Sequence, residues 1–353
     1  MKTAVSIPPV ASRNRREFLV ANVRHLGGLG LIFLLATAGP ANAAPAQPGS
    51  LVKLIRNEAG GTYDFDTPAM SGSIRAEGNY HGVSRLVDKR TGRQVIDPRY
   101  SALNLFRLFS VNLGMGTPRA MKRSVRATET AVEIAWPATE EHQGEITARY
   151  EVREPDTIDL RLTLRVKGTY AGYELLLPNY FERVMIPHLY LKRRAAIKNQ
   201  PYVDLAVPSF SEVYRGCGLV FPRDVHAARR PLDGRWSRTE YKMPAAPFLP
   251  MRLYAHPFIF MTDPEKKMAV VLMMRQASCS AISARYYTEH EEERATSYSA
   301  VDFLVFGDDL LPGDVRTADV RLVVTPLDAA MAQPLKLHEK FLAETEVAGS
   351  QPR

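Results

Sequence analysis

Thr157-Ile158-Asp159-Leu160-Arg161-Leu162-Thr163-Leu164-Arg165-Val166 alternates apolar and polar residues without a break. Successive side chains of an extended strand point to opposite faces. The pattern therefore puts Ile158, Leu160, Leu162, Leu164 and Val166 on a core and leaves Asp159, Arg161, Thr163 and Arg165 to water. The same period recurs on both sides, as Val132, Ile134 and Trp136 upstream and as Val320, Leu322 and Val324 downstream. Further strands are predicted at Ser73 to Gly78, Val83 to Lys89, Leu103 to Val111, Glu145 to Arg153, Met268 to Met274, Ser280 to Tyr287 and Tyr298 to Phe306. Turn chemistry separates them: Lys89-Arg90-Thr91-Gly92, Glu154-Pro155-Asp156, Asp263-Pro264-Glu265 and Leu311-Pro312-Gly313-Asp314.

Helical periodicity is almost absent until Leu335 to Glu344, where a short C-terminal helix is predicted beyond Pro334. Strands and helices do not alternate, which disfavours a doubly wound parallel sheet. The expected fold is all-β: a large antiparallel two-sheet β-sandwich in one domain, residues 51–345. Its rhythm breaks from Asn179 to Pro257, a stretch rich in Pro, Arg, His and aromatics. That stretch reads as a long irregular insert of the kind that covers a binding face.

Ahead of the domain, Asn14-Arg15-Arg16-Glu17-Phe18-Leu19, a weakly apolar run from Leu26 to Ala38 and Ala41-Asn42-Ala43 read as a twin-arginine export signal over residues 1–43. The apolar run is shorter than the roughly 20 residues a bilayer span requires, so no transmembrane anchor is predicted. Cleavage after Ala43, a disordered leader at residues 44–50 and a periplasmic location are expected. The chain has 46 Lys+Arg and 38 Asp+Glu; without the five basic and one acidic residues of the signal the balance is 41 to 37. Lys192 to Arg194 is the densest basic cluster and reads as a solvated loop, so no nucleic-acid partner is expected.

Two cysteines, Cys217 and Cys279, allow either a disulfide or buried free thiols, and the spacing does not choose between them. No Cys/His spacing suits zinc. Glu289-His290-Glu291-Glu292-Glu293-Arg294 reads as a solvated hairpin rather than a calcium site, so no metal is predicted. Neither a Gly-rich phosphate loop nor a Gly-x-Ser-x-Gly elbow is present, and no cofactor is expected.

Residue chemistry concentrates in the insert. Phe221-Pro222-Arg223-Asp224-Val225-His226 and Asp233-Gly234-Arg235-Trp236 join bidentate donors, carboxylates and a stacking ring within one segment. Arg223, Asp233, Arg235 and Trp236 suit the hydroxyl pairs and apolar face of a sugar. His226, Asp224 and His256, the last at the edge of the following strand, are candidate proton-transfer groups. Tyr80-His81 and Asn179-Tyr180, the latter with Glu182 and His188, add further clusters, from which Tyr180 and His81 are taken as substrate-binding.

Three segments carry a resemblance. Val83-Ser84-Arg85-Leu86-Val87-Asp88-Lys89-Arg90-Thr91-Gly92-Arg93, then Ala148 to Val152 running on through Asp156 to Leu160, and Phe306-Gly307-Asp308-Asp309-Leu310-Leu311-Pro312-Gly313-Asp314 are similar to strand-turn elements of the galactose-mutarotase-like superfamily. That superfamily is the large two-sheet sandwich, or supersandwich, of aldose 1-epimerases, sugar-phosphate epimerases and many polysaccharide lyases and hydrolases. The resemblance implies that architecture and a carbohydrate ligand. Aldose 1-epimerases place an Asn-His-x-Tyr-Phe segment in the sugar pocket. The nearest string here, Pro178-Asn179-Tyr180-Phe181-Glu182, lacks that histidine. The functional expectation is a periplasmic carbohydrate-active protein, an epimerase or a polysaccharide or oligosaccharide lyase working through a His/carboxylate pair. The alternative is a non-catalytic carbohydrate-binding or envelope-glycan assembly module. The oligomeric state is left open.

Overall fold

Thr157–Val166 lies inside a nine-stranded antiparallel sheet, paired with Gly144–Arg153 on one side and Val315–Pro326 on the other. Its five aliphatic side chains are all buried in the main core, as the alternation requires. The computed structural model describes residues 49–112, 116–192, 203–206, 218–229, 253–287 and 298–349, all within the unit Pro45–Arg353.

The chain first builds a five-stranded sheet from β1 (Ile55–Asn57), β2 (Thr62–Asp66), β3 (Met70–Arg75), β4 (Gly82–Asp88) and β5 (Arg93–Gln94) in simple order. β6 (Arg107–Phe109) enters a second five-stranded sheet. A meander of β7 (Ser124–Ala127), β8 (Ala131–Trp136), β9 (Gly144–Arg153) and β10 (Thr157–Val166) forms one side of the nine-stranded sheet. β11 (Tyr170–Phe181) crosses to the second five-stranded sheet, and β12 (Ile186–Lys192) and β13 (Val203–Ala206) return to the large one. β14 (Gly218–Pro222) and the short helix α1 (Val225–Arg229) precede β15 (Tyr254–Asp263) and β16 (Met268–Met274). Then follow β17 (Cys279–Tyr287), β18 (Tyr298–Leu310), β19 (Val315–Pro326) and helix α2 (Gln333–Gly349). The strand orders are β13-β12-β15-β16-β19-β10-β9-β8-β7 and β14-β17-β18-β11-β6, with neighbouring strands paired antiparallel.

The three sheets share one core. The smaller β11-β18 sheet contributes Leu175, Leu177, Val301, Phe303 and Val305 from one face. Its other face carries a separate apolar cluster of Leu176, Leu304, Ala281, Val220 and Phe109, with Phe106 against it. Helix α2 lies on the far side of the large sheet, where Phe341, Leu335, Leu337 and Leu342 meet Phe258, Phe260, Val271, Met273 and Val323. Burial of Phe341 alone contributes about 2–3 kcal/mol. The helix outruns the predicted Leu335 to Glu344 at both ends. Pro334 sits in its first turn, where a missing N–H leaves no helical bond unmade.

The α2 end is also held electrostatically. Arg321 pairs with Asp159 at 2.6 Å and with Glu344 of the helix, while Arg153 meets the same Asp159 at 2.9 Å. Arg161–Asp319 extends this ion-paired lattice over the solvent side of β10 and β19.

The segment expected to be one irregular insert contains regular structure at both ends and within it. β11 runs through Phe181, β12 and β13 follow, β14 precedes α1, and β15 begins at Tyr254. Pro187, His188 and Leu189 of β12 are all buried, because α2 and its companions occupy the face that water would otherwise take, and a strand covered on both faces shows no alternation. Cys279 carries a buried free thiol whose pKa burial pushes up to about 12. Cys217, the export signal, most of the leader, Arg194 and Glu289 to Arg294 lie outside the described residues. No helix among the described residues is long and apolar enough to cross a membrane.

Candidate functional site

The edge of the β14-β17-β18-β11-β6 sheet is made by an irregular segment rather than by a long strand. Only Arg107–Phe109 forms a ladder with β11; before it the chain follows β11 through isolated bonds, Asn104 N–H to Pro178 O at 3.5 Å and Phe106 N–H to Leu176 O at 3.0 Å. Leu103 takes a left-handed backbone (φ 54°), which an aliphatic residue adopts only under constraint. The constraints are present. The Asn179 side-chain oxygen accepts the Leu103 N–H, and the Tyr150 hydroxyl donates to the Leu103 carbonyl, both at 2.8 Å. The Leu105 N–H donates to His81 Nε2 at 3.0 Å, and the Ser101 hydroxyl to the His81 carbonyl at 2.8 Å. Gly82 (φ 104°) lets the β4 backbone come so near that a Cβ there would stand 2.4 Å from the Ala102 oxygen.

This clamp presents Asn104. Leu103 and Leu105 on either side of it enter the main core, while Phe106 packs with Leu176 on the other face of the sheet. Its amide is fully buried, and neither its oxygen nor its nitrogen has a hydrogen-bond partner among the described residues. Such a group costs about 1–3 kcal/mol when left unpaired, and buried polar groups are ordinarily satisfied. Asn179, equally buried, shows the ordinary case: its oxygen takes the Leu103 N–H and its nitrogen donates to Leu177 O and Val301 O at 3.0 Å each.

The same sheet face holds two buried carboxylates. Asp302 of β18 lies opposite Pro178 and receives the Ser283 hydroxyl; Glu174 of β11 receives the Ser280 hydroxyl at 2.9 Å. At the rim stands a group of three half-buried tyrosines. Tyr100 and Tyr180 have ring centroids 4.8 Å apart, and Tyr80 meets them edge-on at 4.9 and 5.9 Å. Arg99, forked onto Asp97, lies 5.2 Å from the Tyr100 ring centre. Burial, with the nearby Asp97 carboxylate, raises the Glu182 carboxyl above the usual range against the opposing pull of Arg93 and Arg99. From Tyr180 to Leu176, opposite Arg107, the face extends roughly 13 Å, about the reach of a short oligosaccharide.

The sequence-predicted residues divide. Tyr180 lies in the tyrosine group. His81 is wholly buried and gives its Nε2 to Leu105, and burial holds its pKa down to about 3, so it acts on the Asn104 segment from behind rather than facing a ligand. Asp224 caps α1 by accepting the Ala227 N–H at 2.7 Å. Arg223 donates to Asp224 at 2.7 Å, and its backbone N–H donates to Ser280 O at 2.8 Å. The pair therefore fastens the β14–α1 corner. His226 is exposed on α1. His256 lies on the helix-covered side of the large sheet, with Tyr190, Phe258 and His338 at ring distances of 5.7–6.3 Å. His188 stacks on Phe260 on that side as well, away from Tyr180. Asp233, Arg235 and Trp236 lie outside the described residues. Among the described residues no group of three or more His, Cys, Asp or Glu side chains gathers for a metal ion.

Asn104, Tyr100, Glu174 and Asp302 were not singled out from sequence. The available signal was a polar residue between two leucines, Leu103-Asn104-Leu105, inside a predicted strand.

Solved structures of the aldose 1-epimerase and galactose 1-epimerase type are among those to which the chain is similar. One is an aldose 1-epimerase-like structure from Escherichia coli K12, with 9% identity, 75% of this chain and 99% of that one covered, and a TM-score of 0.49. Another is galactose 1-epimerase from Lactobacillus acidophilus, with 11% identity, 79% and 99% covered, and a TM-score of 0.40. A heparan sulfate lyase from Pedobacter heparinus aligns at 9% identity over 79% of this chain but only 37% of its own length, with a TM-score of 0.40. No protein-family model matches the chain, and no curated protein matches it by sequence.

Proposed function

We propose a periplasmic carbohydrate-active protein that seats a sugar along the Tyr100–Arg107 edge, where a proton is transferred. The observation that carries this reading is the clamped, wholly buried and unpartnered Asn104 amide. A sugar hydroxyl both donates and accepts, and the amide offers both complements. The neighbouring tyrosine faces suit the apolar side of a pyranose. Glu182, with its raised pKa, keeps its proton to higher pH than an exposed carboxyl and supplies a general acid. The class of reaction is epimerisation or eliminative cleavage. Export rests on Arg15-Arg16 and the small-residue site ending at Ala43.

The test is a glycan-array screen of the mature protein, followed by mass spectrometry of products. Asn104→Ala should weaken binding of the selected glycan at least tenfold with thermal stability unchanged or higher, and Glu182→Gln should retain binding and lose turnover. Unaltered binding by Asn104→Ala defeats the site. Binding without any product in the parent protein assigns the non-catalytic role.

A further inference from the structure

Two guanidinium groups approach the Phe106 ring. Arg119 is centred 4.2 Å and Arg107 5.2 Å from its ring centroid. Arg119 is half-buried, and its guanidinium has no acidic partner among the described residues. Its place is fixed from beneath. The Leu108 N–H donates to Gly116 O at 2.9 Å, the Ala120 N–H to Thr117 O at 2.8 Å, and the buried Trp136 indole to Pro118 O at 2.8 Å. A cation stacked on an exposed ring is common at protein surfaces, and alone it would carry nothing. Here the turn sets it over Phe106, two residues from Asn104, on the same sheet edge, beside a second guanidinium. The carboxylates of this face sit further in, on β11 and β18, each engaged by a serine hydroxyl.

Resting on the sugar-binding reading above, we infer that the glycan taken at this edge is acidic, with a carboxylate or sulfate meeting Arg119 while Asn104 holds a ring hydroxyl. Guanidinium is the side chain whose planar donors match an oxyanion in two bonds, and stacking on Phe106 pre-orients it. A neutral glycan would leave that cation unused.

Calorimetry on the mature protein would compare galacturonan, glucuronan and heparan sulfate oligosaccharides with their carboxyl-reduced or desulfated counterparts at matched length. The expected result is at least tenfold tighter binding of one acidic form, a preference that fades with added salt. Arg119→Gln should remove the preference while leaving the neutral counterpart's affinity and the melting temperature unchanged. Loss on carboxyl reduction identifies a uronate; loss on desulfation identifies a sulfate. Equal binding of acidic and neutral forms, or an acid preference that survives Arg119→Gln, overturns the inference and leaves the sugar site standing. Absence of binding to any glycan overturns both.

Discussion

The indole N–H of Trp136, on β8 of the large sheet, donates to the carbonyl oxygen of Pro118 at 2.8 Å. A fully buried core side chain thereby fixes a surface turn, and the position of Arg119 is a property of the core rather than of the loop.

Trp136→Phe should therefore act at two levels. It keeps most of the ring volume but leaves the Pro118 oxygen, in a buried residue, without its donor, so stability should fall by about 1–3 kcal/mol. Urea unfolding would read the loss, and the acid preference at Arg119 should weaken with it. A variant of parental stability would show that solvent satisfies the carbonyl and that the turn is not held from the core.

Acid sensitivity should come from histidines kept neutral. Burial pulls His81 down to about 3, and His142 and His338 to about 4, from a usual value of 6.5. In each case the unfolded chain binds the proton first. The stability they confer is complete above pH 6.5 and is lost as pH falls from there toward 4, by about 1.4 kcal/mol per pH unit for each fully shifted group. Urea midpoints at pH 7 and pH 5 should differ clearly, and His142→Phe should reduce the difference. Equal midpoints would mean that these rings are protonated in the folded protein.

Arg321→Leu tests the fastening of α2. Arg321 is 12% exposed and serves both Asp159 and Glu344, so its loss leaves Asp159 to Arg153 alone and Glu344 to the 3.7 Å pairing with Lys340, and should cost about 1.5–3 kcal/mol. Hydrogen exchange in Gln333–Gly349 should rise well before that of β10. Unaltered exchange in the helix would assign its docking wholly to Phe341 and its apolar neighbours.

Legibility in the sequence followed solvent exposure. The strand from Ile158 to Val166 declared itself because one face is wet, and Met268–Met274 was placed at its observed ends. β12 was hidden because helix and core cover both its sides. Within the site, Tyr180 was legible as an aromatic in a suggestive string. Tyr80 and Tyr100 reach it from two separate loops, a convergence that no local pattern encodes. The Arg223-Asp224 pair looked like recognition chemistry, yet Asp224 stands just ahead of Val225-His226-Ala227, where an N-cap belongs, and that simpler signal was the one the fold used. Asn104 gave the weakest signal because its significance lies in what fails to surround it.

That unmet amide sets stability and use against each other at a single codon. Most replacements of Asn104 by a small apolar residue relieve the chain of an energetic burden, so under selection for persistence alone the position is expected to drift away from asparagine. Lineages in which asparagine stays are those where something outside the polypeptide repays its retention, which makes residue 104 a tracer for whether a descendant still does the ancestral task.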